Sequence, residues 1–233
     1  MSATHVLVPV KALGLAKSRL AHVLDPAARE SLVLAMLQDT VTAALAAGDV
    51  TVTVVTADDR VAAVARECGA DVLPDPVAPG SPDPLNSALR AAARRVRDGA
   101  PDAELVALQA DLPSLRPDEF ALARETARRT GTAVVADHTS GGTTALLHCV
   151  SGTLPPLAFG PGSARRHVDA GAYPVPDALP GLRLDVDTPD DLAAAVQLGV
   201  GPATAAALEG LEFPLRHRCD SAAGSRSSAT MNW

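Results

Sequence analysis

Apolar and polar positions alternate along this chain in two rhythms. Short continuous apolar runs at Val50 to Thr56, Glu104 to Pro113 and Thr143 to His148 read as strands covered on both faces. Between such runs, apolar residues return near every third or fourth position. The clearest case is Leu32, Leu34, Met36, Leu37, Val41 and Leu45, opened by Asp25-Pro26 and stopped at Gly48. It predicts a long helix with a capping carboxylate, a proline in the first turn and a glycine terminator. Further strands are expected at His5 to Val10, Asp71 to Pro74, Thr132 to Asp137, and from Leu182 to Asp187. Further helices are expected at Asp58 to Cys68, Pro84 to Val96, Pro117 to Arg129, and after Thr188-Pro189. Repeated βα alternation predicts an α/β fold with a mostly parallel central sheet and right-handed crossovers.

Composition narrows the class of protein. At 233 residues and 47% hydrophobic, the chain can bury one good core and reads as a single domain. Residues past Leu211 lose all periodicity, so 213–233 are expected to form a disordered tail. The formal charge of −7 argues against a polynucleotide partner. No long apolar span or leader is visible, which predicts a cytoplasmic protein without a membrane partner. Cys68, Cys149 and Cys219 are too scattered for a zinc site or a disulfide framework. The 20 basic residues include only two lysines, Lys11 and Lys17, both in one loop.

Candidate chemistry gathers at the ends of the apolar runs. Asp111 closes the Glu104 to Pro113 run, where open α/β sheets bind ligands, although a capping role in the next turn explains it as well. In Leu184 to Leu192, Thr188, Pro189, Asp190 and Asp191 suit a helix start. Asp185 and Asp187 are left over, two apart on one face, where their charges repel unless a cation lies between them. With Asp111 they form a hard oxygen donor set suited to Mg²⁺ or Mn²⁺. Lys11, Lys17 and Arg19 equip the loop after the first strand for phosphates, without the spacing of a Walker loop. Asp83 and Asn86, in a proline-rich loop, can read a purine edge, or Asp83 can simply cap the helix at Pro84. In Phe159 to His167 the glycines, Ser163, Arg165 and Arg166 fit an anion at a helix start or a plain loop-to-helix junction. His138, His148 and His167 show no clear partner in the sequence and read as structural.

Taken together, Pro9 to Leu20, Pro82 to Asn86, Gln109 to Pro113, Phe159 to His167 and Leu184 to Leu192 resemble one family. It is that of the phosphoenolpyruvate (or 2-phospho-L-lactate) guanylyltransferases of coenzyme F-420 biosynthesis, within the MobA-like nucleotidyltransferases. The resemblance implies a Rossmann-like nucleotidyltransferase domain over 1–212, GTP and phosphoenolpyruvate as partners, and Mg²⁺ held by Asp111, Asp185 and Asp187, with Lys17 beside them in catalysis. It also implies that Thr144, Gly160 and Ser163 hold the three-carbon acid, with Thr143 able to take the place of Thr144. Arg166 is expected beside that acid, and Lys11, Lys17, Arg19, Asp83 and Asn86 around the nucleotide. A homodimer is left open. The rival readings are a sugar-nucleotide enzyme of the same fold and a nucleotide sensor without turnover.

Overall fold

In the computed structural model, which describes residues 3–211 apart from positions 16, 78, 79, 140 and 177, the apolar runs become strands with two buried faces. The strands are β1 (Thr4–Pro9), β2 (Val50–Thr56), β3 (Asp71–Pro74), β4 (Glu104–Leu108), β5 (Thr132–Ala136), β6 (Thr143–His148) and the two-residue β7 (Tyr173–Pro174). They form one sheet in the order β3-β2-β1-β4-β6-β5-β7. β6 is antiparallel to β4 and β5, while the other neighbouring pairs are parallel. Successive side chains leave opposite faces of a strand, so Val6, Val8, Val106 and Leu108 enter one core while Leu7, Leu105, Ala107 and Leu146 enter another. That double burial is why the sequence shows continuous rather than alternating hydrophobicity.

Eight helices are seen among the described residues: α1 (Pro26–Leu45), α2 (Asp59–Glu67), α3 (Pro84–Gly99), α4 (Pro117–Thr130), α5 (Ser163–Asp169), α6 (Pro180–Arg183), α7 (Pro189–Leu198) and α8 (Pro202–Glu209). Leu32 and Met36 of α1 and Phe120 of α4 fill the first core, and Ala88, Leu89 and Ala92 of α3 fill the second. A fully buried side chain of this kind contributes about 1.5–3 kcal/mol. The α1 cap is as expected, with Asp25 accepting a bond from the Ala28 amide at 2.9 Å.

The structure corrects two expected strands. β4 ends at Leu108, one further backbone bond joins the Gln109 amide to the Thr144 carbonyl, and Asp111 lies three residues beyond the strand, in a turn whose Leu112 amide donates to the Thr40 hydroxyl of α1. The Leu182 to Asp187 run is not a strand either: it opens as the last residues of α6 and continues as an unpaired segment to α7. The Val186 amide donates to the Asp111 carbonyl at 3.1 Å, which ties the two acidic segments together without a ladder. The expected tail at 213–233 lies outside the described residues.

Candidate active site

The carboxyl ends of β1, β4 and β5 and the start of antiparallel β6 meet at one edge of the sheet. The direction of the chain connections reverses between β1 and β4, the switch point at which such sheets bind ligands. A cleft of about 500 Å³ opens there, with Arg19, Asp111, Asp185 and Asp187 on one bank and Thr143, Gly160 and Ser163 on the other. A groove of about 600 Å³ lies elsewhere, beside His5, Asp71 and Arg95. It faces the amino-terminal part of the strands and holds no comparable group of charges, so the smaller cleft is the candidate site.

The acidic bank is built from three fastenings. Thr40 fixes the turn at Ala110 and Leu112. The Glu119 carboxylate accepts from the Gly181 and Leu182 amides at 3.2 and 2.8 Å, which anchors the segment carrying Asp185 and Asp187. Gly181 is required there, because a Cβ would lie 2.0 Å from the Ser114 carbonyl oxygen. At the far end Thr188 and Asp191 form a reciprocal capping box on α7, and the Asp191 carboxylate also accepts from the Asp187 amide at 3.1 Å.

Lys17 reaches into this bank. Its ammonium donates to Asp111 and, at 2.7 Å, to Asp187. Burial opposes its charge, but the two carboxylates outweigh burial and hold its pKa above the usual lysine range. Lys17 also has φ 53°, the only positive value among the described non-glycine residues, a strained conformation associated with functional positions. Asp187 is held below the usual carboxylate range, since Lys17 outweighs burial. Asp185 goes the other way: burial and the charges of Asp111, Asp187 and Asp137 push it up to about 7. His138, for which the sequence offers no partner, stands 3.7 Å from Asp185 and 3.1 Å from Asp191.

These residues fit a hard divalent cation by donor chemistry. Asp111 Oδ1 is buried without a hydrogen-bond partner, and Asp185 sits in an uncompensated negative field. As they stand, no three such side chains among the described residues close around a single point. The Lys17 ammonium lies between Asp111 and Asp187, so a metal ion entering between them must displace it.

The residues that line the opposite bank are neutral, and the bank is internally bonded. Asn86 is 4% exposed, and its amide accepts from the Phe159 N–H at 2.8 Å and donates to the Phe159 carbonyl and to Asp83. Asp83 caps α3. Both side chains therefore have local structural uses beside the cleft, at positions the sequence reading assigns to the nucleotide. The Arg166 guanidinium wraps the glycine loop, donating to the Ala158 and Pro161 carbonyls. Gly160 and Gly162 have φ of 122° and 70°, a region that favours glycine. Thr144 is fully buried with its hydroxyl on the Val135 carbonyl, whereas Thr143 lines the cleft 3.0 Å from Ser163 Oγ. Lys11 flanks a narrow side cleft with Asp75 and Leu85, and Leu85 also borders the main cleft.

Asp137 and Gln109 also line the cleft and were missed in the sequence. The strand-end argument that selects Asp111 selects Asp137 too, since it follows β5. Its carboxylate binds the Gly141 and Gly142 amides, and a Cβ on Gly142 would lie 2.4 Å from it.

A sheet with this order and an acidic switch-point cleft defines an α/β nucleotidyltransferase. A candidate nucleotide-diphospho-sugar transferase of Desulfovibrio desulfuricans G20 shares the fold, with a TM-score of 0.70 at 16% identity, covering 92% of this chain and 99% of that one. Residues 4–228 match the family described as guanylyl transferase CofC like, and the chain belongs to that family. It is 53% identical to a phosphoenolpyruvate guanylyltransferase of Nocardia farcinica, over 92% of this chain and 94% of the relative. It is 51% identical to one of Mycobacterium marinum, over 86% and 91%.

Proposed function

We propose that this chain transfers GMP from GTP to the phosphate of phosphoenolpyruvate, giving enolpyruvyl-diphospho-5'-guanosine and pyrophosphate for coenzyme F-420 biosynthesis in the cytoplasm. Family membership and the names of its relatives support this reading, and among the described residues no helix is long and apolar enough to cross a membrane. The observation that carries it is the two-sided cleft: a charged bank suited to a triphosphate with its counterion faces a neutral bank suited to a small acid.

In the proposed reaction an acceptor phosphate oxygen attacks the α-phosphorus of GTP, and the bond to the bridging oxygen of the leaving pyrophosphate breaks. The attacking phosphate is already ionised, so neither a protein nucleophile nor a general base is needed. Lys17 and Arg19 neutralise the triphosphate, and Asp111, Asp185 and Asp187 would hold Mg²⁺. Bound there, Mg²⁺ supplies charge stabilisation for the α-phosphate and the leaving group. The Gly160 to Ser163 loop and Thr143 orient the acid. Thr143 replaces Thr144 in this reading, because its side chain is the one at the cleft.

The test is pyrophosphate release with Mg²⁺ across four nucleoside triphosphates, combined in turn with phosphoenolpyruvate, 2-phospho-L-lactate, 3-phosphoglycerate and sugar phosphates. GTP with phosphoenolpyruvate is expected to give the highest kcat/KM. Turnover with sugar phosphates alone would replace the acceptor, and binding of GTP without turnover would make the protein a sensor.

A further inference from the structure

Behind the neutral bank lies a buried histidine that does not itself line the cleft. His167 of α5 is 0% exposed, with the Phe159 ring set edge-on to it at 5.1 Å. The Ala158 backbone N–H points at Nε2 from 3.0 Å. A backbone N–H can only donate, so Nε2 accepts, and in the neutral ring the proton is on Nδ1. Burial and the Arg166 charge push the pKa of His167 down to about 4, so the ring is neutral near pH 7. Nδ1 lies 3.0 Å from Thr143 Oγ1, which lies 3.0 Å from Ser163 Oγ.

Proton counting gives this chain a direction. Thr143 and Ser163 hold two hydroxyl protons and share one hydrogen bond. Because His167 donates to Thr143, neither hydroxyl has to donate to the ring. Whichever of the two hydroxyls donates to the other, one O–H remains unused, and both residues border the cleft. With the opposite tautomer one hydroxyl proton would go to the ring and the other would join the pair. The wall would then offer only lone pairs. An ionised carboxylate or phosphate accepts hydrogen bonds and cannot donate them, so the tautomer decides whether this wall attracts or repels an anionic acid.

We propose that His167 is a positioning residue for the acceptor acid, acting through Thr143 so that the Thr143 and Ser163 pair always presents a hydroxyl donor to the anion in the cleft. This rests on the reading of the cleft as the acceptor site given above. The Ala158 amide supplies the directional bias and the ring transmits it. Arg166 secures the device, since it binds the Ala158 carbonyl while its neighbour His167 binds the Ala158 amide.

Steady-state pyrophosphate release with GTP, Mg²⁺ and phosphoenolpyruvate tests this in the full chain. His167→Phe keeps the volume and deletes both ring nitrogens. It leaves the spare hydroxyl proton but deletes the ring donor that orients it, and it is expected to raise the KM for phosphoenolpyruvate about three- to tenfold, the worth of one neutral hydrogen bond, while the KM for GTP and kcat stay within about twofold. His167→Gln carries an acceptor and a donor on one amide and should recover most of the loss. In a Thr143→Val background the relay is already cut, so His167→Phe should add nothing. If the Phe variant does not fold, His167→Met carries the same comparison, since its flexible chain fills irregular volume. Parallel changes in both KM values, an additive loss in the Thr143→Val background, or no recovery with Gln would each overturn the relay. Failure of the wild type to use phosphoenolpyruvate at all would overturn the function and the relay with it. Normal wild-type turnover with an unchanged KM in the Phe variant would overturn the relay alone.

Discussion

The two banks of the cleft solve opposite problems. On the acidic bank, carboxylates stand close together on short coil segments, with Asp111 Oδ1 lacking a partner and Asp185 pushed up to about 7 by burial and its neighbours. On the other bank Asn86, Arg166 and His167 each serve the backbone of Ala158 to Pro161. One side holds carboxylates that Lys17 answers only in part; the other closes its polar groups on its own backbone. The difference teaches where preorganisation resides: the neutral bank fixes shape, and the charged bank stores an electrostatic demand that the proposed cation would relieve.

The largest expected effect comes from removing that demand. Asp111→Asn, Asp185→Asn or Asp187→Asn should each lower kcat/KM by at least ~100-fold, taking charge stabilisation by a bound cation to be worth several kcal/mol. Thermal stability should hold or rise in Asp185→Asn, because like charges there oppose one another. Pyrophosphate release and a melting curve on the same preparation check both claims. Near-normal turnover in Asp185→Asn would sink the metal assignment.

A crossed pair of substitutions comes next. Lys17→Ala should weaken GTP binding about tenfold or more, with a smaller effect on phosphoenolpyruvate, whereas Ser163→Ala should weaken the acid about tenfold and leave GTP nearly unchanged. Calorimetric titration of each ligand in turn reads this directly. Equal losses for both ligands in either variant would erase the distinction between the banks.

Asn86 offers a smaller and more structural test. Asn86→Ala strands the buried Phe159 N–H and should cost about 1–3 kcal/mol of stability, measured by denaturant unfolding. Its KM for GTP should change less than its KM for the acid. A selective loss of GTP affinity would instead support the nucleotide role that the sequence suggests for this residue.

Much of this was legible in the sequence, though unevenly. Strands such as β2, β3 and β6 have the expected limits, because continuous β-branched and apolar runs bounded by turn residues leave few alternatives. The acidic bank was legible for a related reason: helix capping accounts for Thr188 and Asp191, and the leftover Asp185 and Asp187 then needed another use. The error lay in the backbone beneath them, since an unpaired segment and a strand both place alternate side chains on one side. The neutral bank was less readable. Whether Thr143 or Thr144 faces the cleft depends on the register of β6, and a one-residue slip reverses every side chain. The structural partners of Asn86 and Arg166 could not be read, because they are backbone groups more than 70 residues away for Asn86 and inside one loop for Arg166, and backbone groups leave no mark on sequence pattern.

The smallest effect concerns the buried histidine of the neutral bank. His167 has a pKa near 6.5 when exposed and about 4 when folded. Between those values the unfolded chain binds a proton that the folded protein refuses. Stability from this residue is therefore complete above about pH 6.5 and declines as pH falls toward about 4. Carboxylates elsewhere titrate in the same range, so the wild-type slope alone decides nothing. His167→Gln keeps the ring's hydrogen bonds in amide form and cannot titrate, which makes the difference between the two proteins specific to His167. The wild type should lose midpoint stability more steeply than His167→Gln from pH 6.5 to 4, with the curves parallel above pH 7. Parallel curves throughout would mean that the ring becomes protonated in the folded protein without penalty. The Ala158 amide would then face a nitrogen that carries a proton, and the assignment of Nε2 as acceptor would fall.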